Sequence, residues 1–318
     1  MEIVRANASD LTEIVQLLKE SLGEKLMPKS AAFFSWKHFQ NPFGESVILL
    51  AKEEGRIVGV RAFMNWQWVN DKEMCRAVRA VDTATHPDFQ GKGIFSKLTL
   101  KAVEICKHNH TGFVFNSPNK ISIKGYLKLG WYSNGKMPLT VKPIFTLPFK
   151  SKKLSIEELY DQYSISKALA TLEESWKIKQ LGDNFIAPVS KAYLAWRYRD
   201  CPVAQYGAVI QPGLFGIIFR IKKHRKLLEC RLTEVWLEDE NARKALQNAL
   251  NEMIRKTGAS FVTCAPFADA NGKAILSGFW GPFGIGPEIT LRTLAMDNLY
   301  NFNEYFRWLP SIGSMELF

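Results

Sequence analysis

Residues 81–98 read VDTATHPDFQGKGIFSKL. A strand pattern runs through Val81–Thr85 into His86-Pro87, a loop follows with Gly91 and Gly93, and Ile94 opens a helix pattern. Such a turn points successive backbone N–H groups outward at a helix N-terminus. Those donors, with the positive end of the helix dipole, bind phosphate oxygens. Glycine lets the main chain approach an anion without a Cβ clash, and Lys92 adds a positive charge beside it. Two glycines before a helix also make ordinary surface turns, so the flanking segments have to carry part of the argument.

Upstream, Glu2–Ala6 reads as a strand. Asp10–Leu22 reads as an amphipathic helix, with Leu11, Ile14, Val15, Leu17 and Leu18 on one face and Ser9 or Asp10 as its cap. A second helix over Ala31–Gln40 stops before Asn41-Pro42. Ser46–Lys52 and Ile57–Val69 form a strand pair turned at Glu54-Gly55, and Met74–Thr85 is another strand. Downstream come a helix over Gly93–Lys107, a strand over Gly112–Asn116, a helix over Asn119–Leu129 and an extended segment over Trp131–Phe145. This order predicts an α/β layer arrangement with a mixed sheet.

The polar segment Phe149–Ser155 predicts a boundary between a domain over residues 1–148 and a second over 156–318. The second half repeats the first weakly. Trp36 and Pro42 match Trp196 and Pro202 at an offset of 160. Phe113-Val114 with Pro118 matches Phe261-Val262 with Pro266 at an offset of 148, as Gly130-Trp131 matches Gly278-Phe279. The pattern reads as a tandem duplication that lost about a dozen residues in its second copy.

Gln90-x-x-Gly93 with Gly91 inside, preceded by a strand and His-Pro-Asp, resembles the acetyl-CoA pyrophosphate loop (Arg/Gln-x-x-Gly-x-Gly/Ala) of the GNAT N-acyltransferase superfamily. Phe95 stands where that family usually has Gly or Ala, and Gly93-Ile-Phe95 is similar to its Eis-like branch. Phe113-Val-Phe-Asn-Ser-Pro-Asn119, then Ser122, Tyr126 and Leu129-Gly130-Trp131, resembles the family's strand–helix unit. The likeness covers about residues 1–145. It implies two GNAT-like domains, each a mixed, mostly antiparallel sheet flanked by helices, the second degenerate.

The resemblance further implies acetyl-CoA as co-substrate and no metal. Its arm would lie in a cleft between two splayed strands, around Asp82–Thr85 and Phe113–Asn116. Cofactor contacts would come from Ala84, Thr85, Gln90, Gly91, Lys92, Gly93, Ile94, Phe95, Asn116, Asn119 and Ser122. An amine attacks the thioester directly once it has lost its proton. A backbone N–H near Thr83–Thr85 would meet the oxyanion, and Tyr126 would protonate the leaving thiolate. Asp82 is the first candidate base, with Glu45 and Asp88 behind it, and a water relay is the alternative. In Eis-like relatives the terminal carboxylate can be the base, here that of Phe318.

The second copy has Leu237-Glu-Asp-Glu-Asn-Ala242 where the loop should be, with no glycine and three acidic groups that repel a pyrophosphate. That half is expected to bind no CoA and to wall the acceptor site, with most of Trp196, Tyr198, Trp236, Phe279, Trp280 and Phe283 in its core. Specificity would lie in Met64–Lys72 and Lys136–Phe145.

The 318 residues are 47% apolar, which suits a globular core. The start, MEIVRANASD, shows no signal peptide, and the apolar runs are strand-sized, so the expected location is the cytoplasm with no membrane span. Five cysteines, without a Cys-x-x-Cys, read as buried free thiols rather than as a disulfide framework or zinc site. The net charge of +11 suits anionic partners, yet no nucleic-acid-binding signature accompanies it. The leading expectation is an acetyltransferase acting on a small amine. The alternatives are an aminoacyl-tRNA-dependent transferase of the peptidoglycan-bridge type and a non-catalytic acyl-CoA-binding protein.

Overall fold

The computed structural model describes residues 1–23, 28–144, 153–179, 181–269, 273–295 and 307–315. The first half contains β1 (Glu2–Arg5), α1 (Leu11–Leu22), α2 (Ala31–His38), β2 (Val47–Glu53), β3 (Arg56–Val69), β4 (Met74–Thr85), α3 (Ile94–His108), β5 (Phe113–Asn116), α4 (Ser122–Lys128), β6 (Tyr132–Lys136) and β7 (Leu139–Pro143). The second contains α5 (Ile156–Gln162), α6 (Ile165–Ala170), β8 (Asn184–Phe185), α7 (Lys191–Leu194), β9 (Gly207–Gln211), β10 (Phe215–His224), β11 (Leu227–Leu237), α8 (Arg243–Thr257), β12 (Phe261–Cys264), β13 (Trp280–Phe283), β14 (Glu288–Thr293) and β15 (Arg307–Trp308). A helical turn, Ile312–Met315, follows.

Local chemistry sets these boundaries. A capping box between Asn7 and Asp10 starts the turn into α1, and Gly23 at φ 67° ends that helix. The Ser30 hydroxyl caps α2 by accepting from Phe33 N–H at 3.1 Å. Glu54 and Gly55, at φ 50° and 82°, make the tight turn between β2 and β3. The helix expected from Asn119 begins instead at Ser122. The Asn119 side chain accepts the N–H groups of Ile121 and Ser122 at 3.0 and 2.8 Å, so it caps the helix from outside.

The first sheet runs β1-β2-β3-β4-β5-β14-β6 and the second β13-β7-β12-β11-β10-β9. Each is antiparallel except for one parallel pair, β4 with β5 and β11 with β12. The extended segment expected over Trp131–Phe145 is therefore two strands in two sheets: β6 stays in the first and β7 joins the second. In return β14 lies between β5 and β6 in the first sheet. The boundary expected at Phe149–Ser155, of which residues 149–152 lie outside the described residues, is bridged by one strand in each direction, and each half lends the other's sheet an interior strand.

Helix α3 packs on one face of the first sheet, with Ile94, Leu98, Ala102 and Cys106 in the contact. Helices α1 and α2 cover β2 and β3 through Leu17, Leu18 and Phe34. Helix α8 does for the second sheet what α3 does for the first. Between the halves lies an aromatic core that includes Trp36, Trp66, Phe115, Tyr193 and Trp196. All five cysteines are free thiols; Cys106, Cys201, Cys230 and Cys264 are buried and Cys75 is partly so. Among the described residues no helix is long and apolar enough to cross a membrane.

Candidate active site

Strands β4 and β5 pair at Ala77 with Phe113, Val78 with Val114 and Arg79 with Phe115, and the ladder stops there. Beyond it β4 runs on to Thr85, while Asn116 pairs with Thr290 of β14. A β-bulge sharpens this parting. The β3–β4 register shifts between Val60–Ala84 and Ala62–Val81, which leaves Asp82 and Thr83 opposite the single residue Arg61. Asp82 sits at φ 40°, in the left-handed region that a non-glycine residue occupies only when its surroundings hold it there.

A cleft of about 900 Å³ opens where the strands part. Of the residues read from the sequence, Asp82, Thr83, Gln90, Phe95, Asn116, Asn119, Ser122 and Tyr126 line it. Ala84 and Ile94 are packed in the core, so they offer a ligand only main chain. The Thr85 carbonyl is occupied by the Ser21 hydroxyl at 3.2 Å. Gly91, Lys92 and Gly93 stand exposed at the head of α3.

The loop has the properties of an anion cradle. Gly91 and Gly93 take φ 76° and 75°, and among the described residues no atom beyond their chain neighbours lies within 4 Å of where a Cβ would stand on either. Among the described residues the N–H groups of Gly91 through Ser96 meet no protein acceptor; the first helix bond runs from Lys97 N–H to the Gly93 carbonyl at 3.1 Å. Six successive amides are thus left for a ligand or water at the positive end of a 15-residue helix. The Lys92 ammonium rests 4.3 Å from the Phe89 ring centroid, alongside that row. These features fit a pyrophosphate.

On one side of the bulge the Asp82 carboxylate meets two groups from α2. It accepts from the Lys37 ammonium, and His38 Nε2 lies 2.8 Å away. His38 Nδ1 in turn lies 2.8 Å from the Ser46 hydroxyl, so an Nε2-protonated, neutral imidazole satisfies both contacts. Burial alone would raise the Asp82 pKa, but the Lys37 charge and the His38 bond outweigh it and hold the carboxyl well below its usual range. Burial lowers the pKa of His38, against the pull of Asp82, and does the same to Lys37.

On the other side Arg61 reaches across β4. Its Nη1 donates to the Tyr126 hydroxyl at 2.7 Å and also to the Thr83 hydroxyl. Thr83, named from the sequence for its main-chain N–H, and Tyr126, named for its hydroxyl, are therefore joined through a residue that the motifs do not name. The signal for Arg61 was a lone charge inside the apolar run Ile57–Met64. Lys37 and His38 gave less warning, because they look like the polar end of a surface helix.

A second cleft, of about 580 Å³, shares Arg79 and Ser117 with the first. Its wall comes from both halves, including Met137, Arg231, Pro287 and Ile312. The Arg79 guanidinium donates to the carbonyls of Ser314 and Met315 from the end of the chain. Phe318, the carboxylate alternative, lies outside the described residues. In the second half the counterpart of the large cleft is a cavity of about 60 Å³, into which Ile178, Leu181 and Ile186 pack beside β11. The head of α8 carries no glycine loop, and the Asp239 side chain caps the turn before it through Asn241 N–H at 2.9 Å. Of the aromatics named for the acceptor wall, Trp196, Tyr198 and Trp236 are core residues, whereas Trp280 and Phe283 are exposed.

Comparison with known proteins agrees with this geometry. The family described as an acetyltransferase (GNAT) domain matches residues 2–133. No curated protein matches the sequence. Among solved structures, a GCN5-related N-acetyltransferase from Anabaena variabilis superposes with TM-score 0.61 at 10% identity, over 92% of this chain and 72% of that one. An Enterococcus faecalis protein of unknown function, described as a probable N-acyltransferase, gives TM-score 0.62 at 12% identity, over 93% and 73%. Eis1 from Mycobacterium abscessus gives TM-score 0.56 at 11% identity, over 93% and 75%. At these identities the superpositions speak for the fold, and the match over residues 2–133 speaks for the family. Residues 2–133 therefore carry a GNAT acetyltransferase domain, in a chain with an α/β fold of two mostly antiparallel sheets, and the enzyme class is acyl-CoA N-acyltransferase.

Proposed function

We propose that the enzyme moves an acetyl group from acetyl-CoA to the amine of a small acceptor by direct attack on the thioester. One observation carries the reading: the row of unpartnered amides from Gly91 to Ser96 stands at the mouth of the cleft between β4 and β5. The pyrophosphate lies on those amides, and the pantetheine arm runs down the cleft past Asn116 and Asn119. Main-chain N–H groups at the bulge, near Thr83–Thr85, meet the oxyanion. Tyr126 gives its proton to the sulfur that leaves.

The acceptor enters from the second cleft, which meets the first at Arg79 and Ser117, so the second half of the chain walls its site. Asp82 lies beside the reacting centre, but the Lys37 ammonium and the His38 N–H that face it weaken it as a proton acceptor. Its role in this reading is to anchor the bulge through Lys37 and His38. The amine's proton leaves through water.

The test is a screen for thiol release from acetyl-CoA against a panel of primary amines, together with calorimetry of acetyl-CoA binding. Amine-dependent release of free thiol supports the reading. Tight binding without such release points to a non-catalytic acyl-CoA-binding protein. Absence of binding removes the cofactor assignment.

A further inference from the structure

Arg61 is a buried charge without an ionic partner. It sits in the middle of β3 with no exposed surface. Among the described residues only Nη1 finds acceptors, the hydroxyls of Tyr126 and Thr83, while Nε and Nη2 meet none. Among the described residues no carboxylate pairs with it. The Phe63, Phe95 and Tyr126 ring centroids lie 4.9, 5.5 and 5.1 Å from its guanidinium carbon. Aromatic faces attract a cation, but they compensate only part of the hydration it gives up. An apolar side chain of similar length would fill the same space with less penalty, so packing alone does not account for an arginine here.

Its placement supplies a reason. Thr83, Phe95 and Tyr126 are wall residues of the large cleft, and Arg61 lies directly behind them. Because Nη1 donates to the Tyr126 oxygen, that hydroxyl acts as acceptor toward Arg61, and its own hydrogen is left to point elsewhere. We propose that Arg61 is a positioning residue for acyl transfer: it aims the Tyr126 hydroxyl at the departing sulfur and compensates the negative charge that gathers on the phenol oxygen as its hydrogen is given up. This rests on the acyl-transfer reading above. In the step, the amine N–C bond forms and the C–S bond breaks. Sulfur keeps the bonding pair and takes the Tyr126 proton. The surplus amine proton goes to water, and water restores the phenol after CoA has left. The guanidinium is fixed before the reaction, so no reorganisation is needed when charge appears.

CoA itself is the probe, and no acceptor is required. A thiolate absorbs in the ultraviolet where a thiol does not, so a pH titration of CoA bound to the full chain reads ionisation at the sulfur. On the intact protein the bound thiol should ionise on the order of tenfold more readily than free CoA, because a polarised hydroxyl donates to the thiolate. Arg61→Met and Tyr126→Phe should each remove that shift, and the double variant should lose no more than either alone. Arg61→Lys, which keeps a cation and a donor, should retain part of it. Arg61→Met is expected to fold, since it removes the desolvation penalty of a buried charge and fills the same space with an apolar chain; Arg61→Gln serves the same comparison. A wild-type titration of CoA bound to Arg61→Met or Arg61→Gln overturns the proposal, as does an Arg61 effect that persists undiminished beside Tyr126→Phe. Failure of the intact protein to bind CoA, read separately by calorimetry, overturns the acyl-CoA reading before this one is reached.

Discussion

Trp36 and Trp196 each donate the indole N–H to the other's main-chain carbonyl, at 2.7 and 2.8 Å, with their rings stacked 4.9 Å apart. A reciprocal contact between two residues 160 positions apart is what a local two-fold axis produces. The same symmetry relates β5 to β12 and α3 to α8, and it makes the exchange of β7 for β14 mutual. The two halves are joined by hydrogen bonds at their centre and by exchanged strands inside each sheet, so they should unfold together.

Trp36→Phe should therefore destabilise the whole chain, not one half of it. The change removes one indole donor, leaves the buried Trp196 carbonyl without it and weakens the stack. A loss of about 2–3 kcal/mol is expected from an unsatisfied buried acceptor and lost ring contact. Trp196→Phe should cost a similar amount, and the double variant less than the sum, because both act on one contact. Denaturant unfolding followed by a probe in each half checks this. Two separated transitions in the wild-type protein would contradict it.

Gly93→Ala and Gly93→Asp separate backbone strain from charge at the anion cradle. At φ 75° any side chain is strained, by about 1–2 kcal/mol, although the space around a Cβ is open. Both variants should show that loss in thermal unfolding. Aspartate in addition faces the row of amides with its own carboxylate, so acetyl-CoA affinity should fall by about tenfold or more beyond that of the alanine variant. Calorimetry that finds equal affinities for the two would remove the pyrophosphate from this loop.

The His38–Asp82–Lys37 group predicts a pH effect with a definite sign. Burial holds His38 neutral in the native state, with a pKa below its ordinary value. Below about pH 6.5 the unfolded chain takes up a proton that the native chain refuses, so stability falls as pH drops through that range. A single such group contributes at most about 1.4 kcal/mol per pH unit. Asp82 adds no slope there, because its carboxyl stays ionised in both states, its native pKa being lowered further still. His38→Gln should flatten the stability curve between pH 7 and 5, and an unchanged slope would mean that the imidazole takes up its proton equally in the native and the unfolded chain.

Much of this architecture was legible in the sequence because it rests on local signals. The periodicity of residues 11–22 and 94–108, the turn at Glu54-Gly55 and the strand ahead of Pro87 each need only neighbouring residues to be read. The Trp36–Trp196 and Phe113–Phe261 offsets showed that the chain is duplicated, but not that its halves trade strands. Nothing in Leu139–Pro143 distinguishes a strand of one sheet from a strand of the other, since strand pairing is decided by distant partners. The site divides in the same way. Gln90–Gly93, Asn119 and Tyr126 belong to motifs and could be named. Arg61, Lys37 and His38 matter only through what β4 presents to them after its bulge. A bulge adds no residue type that a pattern can detect.

The assignment of Tyr126 is the sharpest remaining test of the chemistry. Its ring is wedged between Phe95 at 5.5 Å and Trp131 at 5.3 Å, with Arg61 on its hydroxyl. That packing alone could explain a tyrosine there. Phenylalanine keeps the ring contacts and removes only the oxygen, so the two explanations part at Tyr126→Phe. If the hydroxyl serves the leaving thiolate, turnover should fall by roughly 10²-fold or more, the scale of a lost general acid, while acetyl-CoA affinity stays within about twofold. The same variant leaves the Arg61 Nη1 one acceptor short, so a modest loss of thermal stability should accompany it in either case. Turnover is thus the deciding measurement: a value within about twofold of wild type would assign Tyr126 to the core and pass the proton to another donor.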